Sequence, residues 1–412
     1  TVLDVGEDVN VNGEFAATGG ALIDIGGSLI AAGDAVRNGD LNFAGADTEV
    51  FVGEKIDLSG AQLKVDDGAR LVTGEFSAAQ SVLSAGSIAV SGPGSSYVQL
   101  GAGLLVGEGG TGRLDISDSG SVLLESDLST GGSNGDGFID VSGGSSELRV
   151  NGTVTVGQPS GNGVLAVADG ATAEAYQVEL QSGFGNASLD VDGIGSKMII
   201  SSGGDLNVAA NDFTFGDANA TGGGKILVSD DLRIGGGQGS VGVVRAGSGG
   251  VIEVFGTTFL DGDILNSRSG EDGGEIILNA GGGLISANSV RLRSDGTLFV
   301  ENGGLLAADR LWFEGGILDT AGSSAVLTNR FVALPDTFTF RGDLTLGVQV
   351  VESTTLASTH TVETDQTLNV GGDLRVGFNL ASTLRVEGMG RINVDGDAQV
   401  GAEGGFGVGD VF

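Results

Sequence analysis

The chain has 412 residues, with 79 Gly, 3 Pro and no Cys, and 54 Asp and Glu against 19 Lys and Arg, a formal net charge of -35. A collagen helix is excluded, because it needs Gly at every third position and abundant Pro. A disulfide scaffold is excluded by the lack of Cys, and no basic patch in the sequence offsets the repulsion of nucleic-acid phosphate. Hydrophobic residues make up 40%, enough to offset chain entropy, so the chain is expected to fold.

Taken from the start, Thr1-Val2-Leu3-Asp4-Val5-Gly6 already reads as an alternating apolar phrase ending in Gly. No charged n-region with an apolar h-region opens the chain, and no apolar run is long enough for a transmembrane helix. The absence of Cys suits a secreted bacterial protein. Further along, Leu104-Leu105-Val106-Gly107, Leu114-Asp115-Ile116-Ser117, Leu148-Arg149-Val150-Asn151 and Leu374-Arg375-Val376-Gly377 repeat the pattern. Period 2 marks half-buried strands, and the closing Gly, Asn, Asp or Ser residues supply turns. Ala171–Leu180 comes nearest to helical spacing and is too short to sustain it. The chain is expected to be all-β.

Internal repeats set the architecture. Val90-Ser91-Gly92-Pro93-Gly94-Ser95-Ser96 aligns with Val141-Ser142-Gly143-Gly144-Ser145-Ser146 and with Val191-Asp192-Gly193-Ile194-Gly195-Ser196, with starts 51 and 50 residues apart. Short strands on such a period predict a parallel β-helix, or β-solenoid, because one coil cannot bury its apolar face alone and coils must stack. Two coils per repeat give about 16–20 coils and an elongated domain roughly 80–100 Å long at the spacing of stacked strands. No Pro/Ser-rich linker interrupts residues 1–412, so a single β-solenoid domain is expected. Its repeats are clearest at about 85–255 and return at about 365–401.

The phrases LLVGEGGTGRLDISDSGSV (Leu104–Val122) and VSGPGSSY (Val90–Tyr97) resemble the repeat of autotransporter passengers and PEP-CTERM-associated bacterial surface proteins. The resemblance is close over about 85–210 and weaker over 225–255 and 365–401. It implies a secreted or cell-surface β-helix and carries no shared active site.

Candidate chemistry is sparse. His360 is the only His and lacks the neighbours of a nucleophilic triad. The pairs Asp190/Asp192, Asp261/Asp263 and Asp395/Asp397 would each put two carboxylates on one face of a strand, as a glycan-cleaving acid pair requires. With one Trp (Trp312) and two Tyr (Tyr97, Tyr176), aromatic platforms for a sugar are scarce. Calcium suits the acidic turns better, because it takes hard oxygen ligands. The candidate metal residues are Asn134 and Asp136, in a single copy of a calcium-roll-like phrase (Gly131–Phe138), with Asp190, Asp192, Asp261 and Asp263. No cofactor is required. The runs at Gly222–Lys225 and Gly235–Gly239 neither open a helix nor continue as a phosphate loop.

The two ends read as uncapped repeat phrases. Leu3, Val5, Val9 and Val11 at one end, and Phe406, Val408, Val411 and Phe412 at the other, are the candidate surfaces for head-to-tail stacking with a second copy. The expectation is a non-enzymatic extracellular structural protein that assembles with itself. The alternatives are an adhesin or passenger stalk that binds a glycan or host surface, favoured if aromatics gather on one face, and a glycan-cleaving β-helix enzyme.

Overall fold

The computed structural model describes the chain except residues 1, 12–14, 27, 33–39, 75–80, 133, 159, 202, 237–238, 261–272, 279–282, 294–295, 301–304, 315–316, 320–324, 328–329, 332–336, 341–343, 347–357, 363–366, 371–373, 377–381, 387–390, 401–408 and 412. Its described strands pair in parallel ladders, and no helix occurs among the described residues. Ala171–Leu180 is not helical: Thr172–Leu180 is a strand with alternating buried positions. The chain is a parallel β-solenoid divided into two compact units. The first comprises Thr1–Leu206, Thr214–Ala218 and Gly224–Ile226, and the second Asn207–Phe213, Asn219–Gly223 and Leu227–Phe412.

In the first unit each coil contributes a segment to each of three faces. On the first face Val2–Val5 pairs with Leu22–Ile25, then Glu49–Val52, Arg70–Thr73, Ser96–Gln99 and Ser121–Leu124 follow in order. The second face runs from Val9–Val11 through Leu29–Ala32, Ile56–Ser59, Ser81–Leu83, Leu104–Val106 and Leu128–Thr130. The third runs from Phe15–Thr18 through Leu41–Ala44, Gln62–Asp66, Ser87–Ser91, Thr111–Ser117, Asp136–Ser142, Gly163–Ala168 and Ala187–Asp192. Glu147–Val156 and Thr172–Leu180 are long enough to serve two faces, with a register shift at the corner between Val150 and Thr153.

Register turns the period-2 pattern into stacked rows. Ile23, Val50, Leu71, Tyr97, Val122, Leu148, Ala173 and Met198 follow one another in register on the first face, and all are buried. Each row removes apolar side chains from water along the stack, at roughly 25 cal/mol per Å² of apolar surface. The adjacent inward row breaks to polar at Thr73 and Gln99. There Thr73 Oγ1 donates to the Tyr97 hydroxyl at 3.4 Å, which donates to Gln99 Oε1, and Gln99 Nε2 donates to the carbonyl of Gly103 at 2.8 Å. Internal partners offset the cost of burying these groups. Burial pushes the Tyr97 hydroxyl up to about 12, opposed by its bonds to Thr73 and Ser81.

Two kinds of turn alternate between the third and first faces, and this makes the repeat two coils long. In one, Gly92, Gly143 and Gly193 adopt positive φ and are followed by buried Ser95, Ser146 and Ser196. In the other, Asp67, Asp118 and Asp169 adopt positive φ. Each serine reaches back one coil: Ser95 Oγ accepts the N–H of Gly68 at 2.9 Å, Ser146 Oγ that of Ser119 at 3.1 Å, and Ser196 Oγ that of Gly170 at 3.0 Å. Thr48 does the same to Gly20 at 3.3 Å.

The third face carries a glycine row. Gly112, Gly137 and Gly163 stack in register. A Cβ on Gly137 would stand 2.2 Å from the Val106 carbonyl oxygen, and one on Gly163 2.1 Å from the Gly157 nitrogen. Only Gly lets the backbone approach this closely.

The second unit repeats the parallel pattern. Val241–Ala246, Gly273–Leu278, Thr297–Val300 and Ile317–Asp319 form one ladder. Leu232–Ile234, Thr257–Leu260, the later part of Gly283–Arg293, the later part of Leu305–Glu314 and Arg330–Phe331 form another. Beyond these, Ala325–Leu327, Leu344–Leu346, Leu374–Val376 and Ala398–Val400 form a four-stranded ladder.

Candidate ligand-binding face

The described metal candidates Asn134, Asp136, Asp190 and Asp192 are not gathered at one point. Asn134 lies exposed on a turn with φ of 67°. Asp136 begins a strand of the third face, and its Oδ1 accepts Asn162 Nδ2–H at 2.7 Å and the Asn162 backbone N–H at 3.3 Å. Asn162 Oδ1 in turn accepts the backbone N–H of Asn186 at 2.8 Å, so the side chains of Asp136 and Asn162 stitch successive coils at this corner. Asp190 and Asp192 share the outward side of the third face, as their spacing predicts, two rungs beyond Asp136 and further along the strand. Asp190 accepts the Ser188 hydroxyl at 2.7 Å. Asp261 and Asp263 lie outside the described residues.

Other acids also serve backbone amides. Asp8 Oδ1 accepts the N–H of Ser28 at 2.7 Å, Asp127 Oδ1 that of Thr153 at 2.8 Å, and in the second unit Asp231 Oδ1 that of Thr257 at 2.9 Å. Part of the chain's acidity is thus used where a corner leaves an N–H without a ladder partner.

Of the expected stacking surface, Leu3 sits in register with buried Ile23 and is 40% exposed. Val5 and Val9 are half-buried and Val11 is buried. Val411 pairs with Leu384 across the backbone, whereas Phe406, Val408 and Phe412 lie outside the described residues. His360 pairs with Leu384 on its other side.

The second unit gathers what the sequence scatters. Arg233, Phe259, Arg291 and Trp312 occupy one row on four successive rungs. Buried neighbours fix the outward side for three of them: Leu232 and Ile234 flank Arg233, Thr258 and Leu260 flank Phe259, and Val290 and Leu292 flank Arg291. Arg293 lies two positions beyond Arg291, and its register partner is Glu314. Arg310 and Arg330 follow one another in the register row of Thr257 and Ser289. Five of the chain's 19 basic residues therefore belong to the strands of one ladder, with Asp231 paired to Arg233 and Glu314 in register with Arg293.

Phe259 organises the guanidinium groups. The Arg233, Arg291 and Arg293 carbons lie 5.6, 5.7 and 4.9 Å from its ring centroid, within the range of cation–π attraction. Arg233 also bridges to Asp231 at 2.7 Å, which offsets part of its charge. The pairings Lys55–Asp57 at 3.5 Å and Arg113–Asp115 at 2.6 Å in the first unit are ordinary surface ion pairs, and the latter raises the Arg113 pKa further.

Sequence reading missed this ladder. Its signal was an apolar-x-apolar phrase at Leu232-Arg233-Ile234 and Val290-Arg291-Leu292, with Thr258-Phe259-Leu260 breaking the pattern between them, and the middle positions become neighbours only when the coils stack.

No protein-family model and no curated protein matches the chain. A crystal structure described as a TibC-catalysed, hyper-glycosylated TibA fragment is similar to it over 100% of both chains, at 13% identity and a TM-score of 0.29.

Proposed function

We propose that the chain is a non-enzymatic β-solenoid scaffold of an extracellular or cell-surface binding protein, and that its second unit presents a face for an anionic ligand. The observation that carries this reading is the ladder of Arg233, Phe259, Arg291 and Arg293. The solenoid supplies rigid spacing, which lowers the entropy lost when a long ligand is held at several points. Acid elsewhere on the chain keeps it soluble and opposes non-specific contact with anions, so binding is confined to where the arginines are concentrated.

The reading is tested with immobilised polyanions. The wild-type chain should bind and be released by salt, and the doubly substituted Arg291→Gln/Arg293→Gln chain should bind far more weakly while keeping its β circular-dichroism spectrum. Equal binding by both chains would remove the face from the function.

A further inference from the structure

Asparagine is among the chemically labile residues. Its loss of ammonia needs two groups free to meet: its own side-chain carbonyl carbon and the backbone nitrogen of the next residue. A following glycine leaves that nitrogen unshielded, because it has no Cβ. Three Asn-Gly pairs fall among the described residues, at Asn134-Gly135, Asn151-Gly152 and Asn162-Gly163. The fold treats them differently. Asn151 Nδ2 donates to Glu125 Oε2 at 2.7 Å, and its Oδ1 accepts the Arg149 Nε–H at 3.3 Å. Asn162 Nδ2 donates to Asp136 at 2.7 Å, its Oδ1 accepts the Asn186 N–H at 2.8 Å, and the Gly163 N–H donates to the Asn186 carbonyl at 2.8 Å. Asn134 instead stands exposed on a turn at φ of 67°, and among the described residues no hydrogen bond holds its side chain. The Gly135 N–H reaches the Gly132 carbonyl at 3.4 Å, longer than an ordinary N–H···O bond. At the aspartate turns the matching nitrogens are held: Gly68 donates to Ser95 at 2.9 Å and Gly170 to Ser196 at 3.0 Å.

We propose that Asn134 is a modification site, converted without an enzyme to isoaspartate and aspartate while the chain is folded. The Gly135 nitrogen gives its proton to water and attacks Asn134 Cγ. The new N–C bond closes a five-membered imide, the Cγ–Nδ2 bond breaks, and the leaving nitrogen takes a proton from water and departs as ammonia. Water then adds to one of the two imide carbonyls. Opening at the side-chain carbonyl gives aspartate, and opening at the main-chain carbonyl gives isoaspartate, with the backbone routed through Cγ. Nothing is oxidised or reduced. Either product adds a carboxylate to the turn, and the isoaspartate also lengthens the main chain by one methylene. The corner has little room for it: a Cβ on Gly135 would stand 2.3 Å from the Gly107 carbonyl oxygen, and one on Gly161 2.1 Å from the Gly135 carbonyl oxygen.

The test is incubation of the full chain in heavy-oxygen water at mildly alkaline pH, folded and in denaturant, followed by peptide mapping. Opening of the imide leaves a heavy oxygen at the converted position. In the folded chain the label should enter position 134 at least about tenfold faster than positions 151 and 162, and denaturant should bring the three rates together. Asn134→Gln should lose the label at 134, because its longer side chain closes a ring less readily, and should keep its β circular-dichroism spectrum. A rate at 134 no higher than at 151 or 162 in the folded chain, or label at 134 only after unfolding, would overturn the proposal. Label persisting at 134 in Asn134→Gln would overturn it too, since the amide would then be lost without the Gly135 nitrogen.

Discussion

The hydroxyl oxygen of Ser95 accepts the backbone N–H of Gly68 at 2.9 Å, 27 positions back along the chain and one coil away in space. Ser146 and Ser196 repeat the contact on alternate coils, to Ser119 and Gly170. Removing the acceptor leaves a turn N–H without its partner. Ser95→Ala, Ser146→Ala and Ser196→Ala should each cost about 1–2 kcal/mol, read from denaturant unfolding. Ser95→Thr should retain most of that stability, because Thr48 already fills the equivalent place opposite Gly20.

The glycine row predicts a contrast between two substitutions. Gly137→Ala places a methyl group 2.2 Å from the Val106 carbonyl oxygen and should cost several kcal/mol or prevent folding, at about the level of severe overpacking. Gly144→Ala meets nothing within 4 Å and should change stability by less than about 0.5 kcal/mol. Thermal melting of the two variants side by side separates a steric role from a merely flexible one.

Tyr97 predicts a loss of stability in alkali. The unfolded chain releases the phenolic proton from about pH 10, and the folded chain holds it to about pH 12. Between those values the native state binds more protons, so stability falls as pH rises, by up to about 1.4 kcal/mol per pH unit. Below pH 10 the contribution is constant. Tyr97→Phe should remove this slope, and phenolate absorbance from Tyr97 should appear only near pH 12.

Asp136 tests whether a corner acid is structural. Its carboxylate accepts two N–H groups of Asn162. Asp136→Ala should lower stability by about 1–3 kcal/mol, with the same loss whether or not millimolar Ca²⁺ is present. A loss seen only with Ca²⁺ would return Asp136 to the metal ligands that the sequence suggested.

Much of the fold was legible because the repeat shows its own geometry. Val-x-Gly at 90–92, 141–143 and 191–193 marks the turns that place Ser95, Ser146 and Ser196. The step of two coils follows from alternation with the aspartate turns at 67, 118 and 169. Inward residues such as Leu104, Leu114 and Leu148 followed from period 2. The site was not legible. Arg233, Phe259, Arg291 and Trp312 are separated by unequal steps, because the intervening coils differ in length, so no constant period links them. Carboxylates near each other in sequence drew notice as metal ligands. Corner acids such as Asp8, Asp127 and Asp136 instead find amides on the next coil, a pairing that depends on the register of the stack.

The most direct measurement is amide hydrogen exchange of the whole chain with and without a saturating soluble polyanion. Added protection should concentrate in Leu232–Ile234, Thr257–Leu260 and the Ser289–Arg293 part of its strand, with little change in Arg70–Thr73 or Ser96–Gln99 of the first unit. Protection centred on the first unit, or none at any strand, would contradict a binding face built from Arg233, Phe259, Arg291 and Arg293.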